Sequence, residues 1–296
     1  MTAPPPPVAL TIAGSDPSGG AGIQADLKTF SALGVYGTAV ITALTAQSTR
    51  GVTGVHLIPA SFVTEQLRTL VADVRIDAVK IGMLATAELA DATAEFLLDH
   101  PHEVVVLDPV MVATSGDRLI DDDAVDAVRR LFPLASLITP NLPEAAQLLG
   151  VEVATDVAAM REQARRLVDA GAERVLVKGG HLAARAAAGA ATGAATGEAV
   201  GEAAGRADGT DSIDVLVGPE GCFELVGPRI ATRNTHGTGC TLSAAVAALR
   251  PQRPGWLEAV RDAKSWLTEA IAAADTLHVG QGSGPVHHFH RLWPVP

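Results

Sequence analysis

The sequence predicts an α/β protein, a three-layer α/β/α arrangement around a central, mostly parallel sheet. Two observations carry this. Short apolar runs of strand length alternate with helix-length stretches at least six times along the 296 residues, the order that builds parallel sheets with helices on both faces. Asp108, Asn141, Glu144, Lys178 and the loop at Gly237 each follow a strand-like run, so they share one sheet edge, where such folds bind ligands.

The totals exclude several classes of function. A net charge of −11 argues against nucleic acid as a partner, because phosphate-backbone binding needs clustered Lys and Arg in excess. Cys222 and Cys240 cannot make a disulfide framework for a chain of this size, so both are expected as reduced thiols. The start, Met1-Thr2-Ala3 and then Pro4 to Pro7, has neither the basic segment nor the apolar run of a secretion signal, and no run is long enough to cross a membrane. A soluble, cytoplasmic protein is expected.

Residues 8–13 read as a buried strand ending at Gly14 and the loop 15–20, with a helix over about 22–33 behind it. Ile23, Leu27 and Phe30 mark the inner face of that helix, and Asp26 falls on the same stripe. A carboxylate there is costly without a partner, so Asp26 is either a ligand contact or an edge residue bonded to nearby backbone. Gly20-Ala21-Gly22 imitates a dinucleotide fingerprint, yet no Asp or Glu lies between Asp26 and Glu65 to take ribose hydroxyls, and no Gly-Lys-Ser/Thr makes a Walker loop. The segment reads as a substrate loop.

A strand over 38–46 would set Gln47 at its carboxyl end. Its amide both donates and accepts, which suits a heterocycle with adjacent ring nitrogen and amino groups; a loop glutamine in water is the alternative. A helix over 61–72, a strand over 78–82 ending at Met83, a helix over 86–98 and a strand over 104–108 follow. Met83 is core filler or ligand contact. Asp108 suits magnesium or phosphate chemistry, or caps the following turn. A helix over 121–131 and a strand over 137–139 lead to Asn141, Pro143 and Glu144, first of all a helix start. The same carboxylate and amide could hold hydrated magnesium near phosphates.

A helix over 157–170 and a strand over 174–178 end in Lys178-Gly179-Gly180-His181, where Lys178 could meet phosphate oxygens and His181 is read as structural. Residues 183–207, nearly all Ala, Gly, Thr and Glu, read as a flexible surface insertion. A hairpin over 213–226 follows, with Cys222 alternating onto the core face.

Residues 234–241, Asn-Thr-His-Gly-Thr-Gly-Cys-Thr, then run into a helix ending near Leu249. Free amides gather where a loop becomes a first helical turn, and Gly237 and Gly239 let an anion come close to them, most naturally a phosphate. The helix dipole would favour the Cys240 thiolate as base or nucleophile; a small buried hydrophobe is the plain alternative. A last helix over 256–274 precedes the tail His287-His288-Phe289-His290, which lacks a Cys or acid at metal spacing.

Assembled, the segments Thr11 to Asp26, Val40 to Gln47, Lys80-Ile81-Gly82-Met83, Thr139 to Ala145, Val177 to His181, Asn234 to Ser243 and Gly284 to His290 resemble the hydroxymethylpyrimidine/phosphomethylpyrimidine kinases of thiamin biosynthesis, within the ribokinase-like superfamily. The resemblance implies one kinase domain over residues 1–296, using ATP and Mg2+ to phosphorylate hydroxymethylpyrimidine and then its monophosphate. It implies Gly14, Asp26, Gln47, Met83 and Val110 around the pyrimidine. Gly237, Thr238, Gly239 and Cys240 would supply the anion hole, with Cys240 also the base where sugar kinases carry Asp. Asp108, Asn141, Glu144 and Lys178 would serve the nucleotide phosphates, Glu144 holding Mg2+ through water. A homo-oligomer, most naturally a dimer, is implied as well. Three rivals remain: acyl transfer by Cys240 with His236 as base, a non-catalytic nucleotide-binding module, and a pyridoxal kinase.

Overall fold

The computed structural model describes residues 5–111, 122–180, 182 and 211–293. Strands β1 (Val8–Ala13), β2 (Tyr36–Ile41), β5 (Ala78–Ile81), β6 (Val105–Leu107), β7 (Leu137–Ile138), β8 (Val175–Val177), β9 (Asp211–Gly218) and β10 (Gly221–Pro228) form one sheet. Its order is β10-β9-β8-β7-β6-β5-β1-β2. The pairings from β2 to β8 are parallel, whereas β8–β9 and β9–β10 are antiparallel. This is the mostly parallel sheet expected from the sequence.

Alternation along each strand builds the two outer layers. Leu10, Ile12, Val79, Ile81, Val105, Leu107, Val175 and Val177 face one side, where α2 (Ala60–Val71), α3 (Ala87–Asp99), α4 (Asp122–Arg130), α5 (Leu142–Leu149) and α6 (Val157–Asp169) pack. Ala9, Ala78, Val106, Leu137, Leu176 and Leu216 face the other side, beneath α1 (Gly22–Ala32), α7 (Thr238–Leu249) and α8 (Trp256–Ala272). Helix α7 is buried from Thr241 to Leu249, and its alanines let it lie close over Ala9 and Ala78. Its first turn therefore arrives in the middle of the sheet edge.

Three expectations are corrected or fall outside the described residues. The run over 38–46 is two strands: β2 ends at Ile41, and β3 (Ala43–Ser48) leaves the main sheet to pair antiparallel with β4 (Gly51–Leu57) in a separate hairpin. Gln47 thus comes from a flap over the edge instead of from the sheet itself. Cys222 is exposed, because the core-facing residues of β10 are Phe223 and Leu225, one register step away. His181 and residues 183–207 lie outside the described residues.

Candidate functional site

Because β1, β5, β6, β7 and β8 run parallel, the residues that follow them emerge together. Gly237 caps α7 with φ 77°, a left-handed conformation that favours glycine, and a Cβ there would stand only 1.7 Å from the Gly20 carbonyl oxygen. No side chain caps this helix. The Thr238 amide bonds the Thr235 carbonyl, while those of Gly239 and Cys240 find no acceptor among the described residues. The first turn presents free donors and the positive end of a helix dipole to a ligand.

Facing it is a buried ionic group. Lys178 Nζ donates to Asp108 Oδ1 at 2.6 Å and lies 4.0 Å from Glu144 Oε2; a Cβ at Gly239 would be 3.2 Å from that ammonium. Thr139 Oγ1 and Ser243 Oγ donate to Asp108 at 3.1 Å each. Burial would raise the Asp108 carboxyl, but the Lys178 and Lys80 ammonium groups hold it below the ordinary aspartate value. Asn141 and Glu144 form a reciprocal capping box on α5: the Glu144 amide donates to Asn141 Oδ1 at 2.9 Å and the Asn141 amide to Glu144 Oε2 at 2.7 Å. Glu144 is nonetheless pushed up to about 7, by burial and by the Asp108 charge, against the pull of Lys178. Two carboxylates and one ammonium leave this corner short of positive charge.

On the other side of the α7 turn lie the residues expected around a pyrimidine. Gly14 meets Met83, whose Cε would be 2.7 Å from a Cβ at Gly14, and Met83 is held by Thr42 Oγ1 donating to its carbonyl at 2.9 Å. Val110 follows Asp108 and is half-buried. Gln47 reaches in from β3, with Thr45 Oγ1 3.2 Å from its Oε1 and His236 Nε2 3.4 Å from its Nε2. Asp26 is deeper than the other four. It is fully buried, accepting from Lys80 Nζ at 2.9 Å and Thr11 Oγ1 at 2.6 Å, so its partners are side chains instead of nearby backbone. Its Oδ1 has no partner among the described residues.

Cys240 is half-buried at the centre of these groups. The dipole alone does not free its thiolate: burial pushes the thiol up to about 11, with the Asp108 and Asp26 charges raising it further against the pull of Lys80 and the Gly22 N–H. A helix end is worth about 1 kcal/mol at most for an exposed group, less than burial beside two carboxylates costs an anion. The resting sulfur is a thiol.

Sequence reasoning passed over Lys80, Thr139, Ser243 and the pairing of Asp16 with His236. His236 Nε2 meets Asp16 Oδ2 at 2.7 Å, so an acid holds His236, and among the described residues the ring makes no hydrogen bond to Cys240. Lys80 had a signal, a lysine inside an otherwise apolar strand; the others are visible only once the chain is folded.

Known proteins share this architecture. A profile of the family described as Phosphomethylpyrimidine kinase matches residues 16–287. The hydroxymethylpyrimidine/phosphomethylpyrimidine kinase of Escherichia coli K12 is 54% identical over 286 residues, covering 96% of this chain and 98% of its own. Among solved structures, a Bacillus subtilis pyridoxal kinase in complex with ADP superposes with a TM-score of 0.81 at 35% identity, over 97% of this chain and 99% of its own. A phosphomethylpyrimidine kinase from Clostridium difficile superposes with a TM-score of 0.71 at 37% identity, over 90% and 99%. The fold is the ribokinase-like one.

Proposed function

The chain belongs to the phosphomethylpyrimidine kinase family, and on that premise we propose that it carries out both phosphorylations of the pyrimidine branch of thiamin biosynthesis. It transfers the γ-phosphoryl group of ATP to the hydroxymethyl oxygen of 4-amino-5-hydroxymethyl-2-methylpyrimidine, and then a second one to the resulting monophosphate. The observation that carries this reading is the uncapped first turn of α7 standing against Lys178, with Cys240 in the same turn. The reading includes a single kinase domain working in the cytoplasm as a homo-oligomer, a dimer.

The roles follow from position. Gln47 reads the ring edge with one amide that donates and accepts, Gly14, Met83 and Val110 enclose the ring, and the free Oδ1 of Asp26 is an acceptor for it. Gly237, Thr238, Gly239 and Cys240 surround the charge that develops on the transferring phosphoryl group, and Lys178 neutralises the phosphates from the strand side. Cys240 takes the proton of the attacking hydroxyl. In a loose transition state the nucleophile is little bonded when the phosphoryl group departs, so the hydroxyl proton can leave late, to the small fraction of Cys240 present as thiolate, which becomes the thiol. A groove of about 510 Å3 between β10 and α8, lined by Gly227, Lys264 and Thr268, is the space this reading gives to the nucleoside.

The residues fit a hydrated Mg2+. Glu144 and Asn141, a carboxylate and an amide joined in one capping box at the sheet edge, would order the waters of an ion held by phosphate oxygens. When bound, the ion would offset phosphate charge. Glu144 must be ionised to help, and in the free protein it is pushed up to about 7. Below that pH the cation has to displace a proton, so Mg2+ dependence should weaken by roughly tenfold per unit as pH falls from 7 to 5.5. Titrating Mg2+ activation across pH 5.5–8 in the wild type and in Glu144→Gln tests this. The wild type should show the extra proton release and the variant should not; a slope identical in the two would remove Glu144 from the role.

The function itself is tested by mass spectrometry of products from Mg-ATP with hydroxymethylpyrimidine, with its monophosphate, and with pyridoxal. Diphosphate from both pyrimidines is expected. The superposition on pyridoxal kinases keeps one second reading alive, since pyridoxal is also a hydroxymethyl heteroaromatic. Product from pyridoxal alone would make that the activity and overturn the pyrimidine assignment.

A further inference from the structure

The substrate loop and the anion hole come from opposite ends of the chain, and a buried side-chain hydrogen bond is among the contacts that join them. Asp16 is 1% exposed and is the hub of the loop. Its Oδ1 accepts the Ser18 amide at 2.8 Å, and its Oδ2 accepts Ser18 Oγ at 3.0 Å, the Gly20 amide at 3.1 Å and the Ala21 amide at 2.8 Å. The fifth partner is His236 Nε2, 2.7 Å from Oδ2 and 220 residues away in sequence. Burial alone would raise this carboxyl; the hydrogen bonds from His236 and Ser18 bring it down to about 2, so it is a fixed anion. With Asp16 acceptor-only, Nε2 must carry the proton of the shared bond.

His236 is held from its other side too. Its amide donates to the Gly284 carbonyl at 3.0 Å, in a bridge beside Pro285, and its ring lies so close over Gly20 that a Cβ there would be 2.3 Å from Cδ2. The next residue is Gly237, packed on the Gly20 carbonyl. The imidazole therefore fixes where the α7 turn begins relative to residues 14–22. Gln47 Nε2 lies 3.4 Å from the same Nε2, but with the Nε2 proton given to Asp16 both are donors, so the flap packs there without a hydrogen bond.

We propose that Asp16 and His236 are a positioning couple for phosphoryl transfer: through one hydrogen bond they hold the substrate loop and the anion hole in a single geometry. Neither residue touches the reacting atoms. They act through Gly20 and Gly237, setting the distance between the hydroxyl that attacks and the amides that receive the charge. The proposal rests on the kinase reading for its kinetic consequence, and on the structure alone for the mechanical one. Misplacing reacting groups by about 1 Å costs on the order of a hundredfold in rate.

Two readouts on three variants test it. In His236→Ala, kcat should fall roughly 30- to 100-fold with KM for the pyrimidine and for Mg-ATP within about threefold. In His236→Gln the amide nitrogen can occupy the place of Nε2, and kcat should return to within about fivefold of wild type. Asp16→Asn puts an NH2 among donors and should behave like His236→Ala. Hydrogen exchange of the ligand-free protein supplies the second readout, which does not depend on the substrate being right. His236→Ala should speed exchange in residues 14–22, and Asp16→Asn in residues 234–241, each across the contact, by roughly tenfold or more. Acceleration confined to the mutated segment, or a kcat lost equally in His236→Ala and His236→Gln, would overturn the couple. Failure of the wild type to phosphorylate any pyrimidine would instead count against the kinase reading, and the cross-loop exchange would still decide the couple.

Discussion

Cys240→Ala should lower kcat for hydroxymethylpyrimidine by roughly a hundredfold or more, with KM for either substrate within about threefold, because a positioned base contributes on the order of 10²–10⁴ and acts only in the transition state. The thiol is pushed up to about 11 in the free protein, so only a small fraction is thiolate at neutral pH. Below the pKa that fraction grows tenfold for each unit the pH rises, and log kcat/KM should rise with a slope near one above neutrality. The alanine variant should lose the slope along with the rate. Cys240→Asp keeps an acceptor at the place where sugar kinases carry one and should recover part of kcat, although the Asp108 and Asp26 charges would resist a third carboxylate. A wild-type profile flat between pH 7 and 9, or an alanine variant with unchanged turnover, would send the proton directly to the phosphoryl oxygens and leave Cys240 a packing residue. The same raised thiol bears on stability with the opposite sign. Above the ordinary thiol pKa the unfolded chain ionises first, so the stability contributed by the neutral buried thiol is full below that pKa and is lost as pH climbs toward 11.

The fold was legible because the alternation is strong and local. Leu10 and Ile12 on one side of β1 and Ala9 on the other, repeated in β5, β6 and β8, write both core layers into windows of a few residues. The hairpin was not legible for the complementary reason. The run from Val40 to Gln47 holds no glycine or proline where the chain leaves the sheet at Thr42, so a continuous strand and two strands in different sheets look alike. Half of the site follows from strand order, since Asp108, Asn141 and Lys178 must emerge together once the strands are parallel. The other half depends on contacts between distant segments. Nothing near Asp16 points to His236, and nothing near Cys240 announces that Asp26 and Asp108 converge beneath it. The helix dipole favours a thiolate at that position, and burial together with those two distant carboxylates opposes it.

Removing Lys80 should destabilise the fold by about 3–5 kcal/mol, because it strands the Asp26 carboxylate in a place with no water. Both side chains are fully buried at 2.9 Å, and they lie on the same side of the sheet as Thr11, beneath α1 and α7. Burial pushes the Asp26 carboxyl up and Lys80 and Thr11 oppose it; burial would lower Lys80, and the groups around it, the Asp26 charge first among them, together raise it above the ordinary lysine value. Each group is tolerable only because of the other. Native stabilities are typically about 5–15 kcal/mol, so Lys80→Met consumes a large part of the total. The double variant Lys80→Met/Asp26→Leu removes the charge along with its partner, and buried pairs replaced in this way are often neutral. Urea unfolding should therefore rank wild type and double variant close together, with Lys80→Met well below both; a Lys80→Met within about 1 kcal/mol of wild type would mean that water or another group reaches Asp26. The double variant then isolates what Asp26 does beyond stability. If its unpartnered Oδ1 accepts from the pyrimidine, the refolded core should bind Mg-ATP normally and lose pyrimidine affinity by roughly tenfold or more, the cost of one lost hydrogen bond to a charged acceptor. Unchanged pyrimidine affinity would confine Asp26 to holding Lys80 under the catalytic turn.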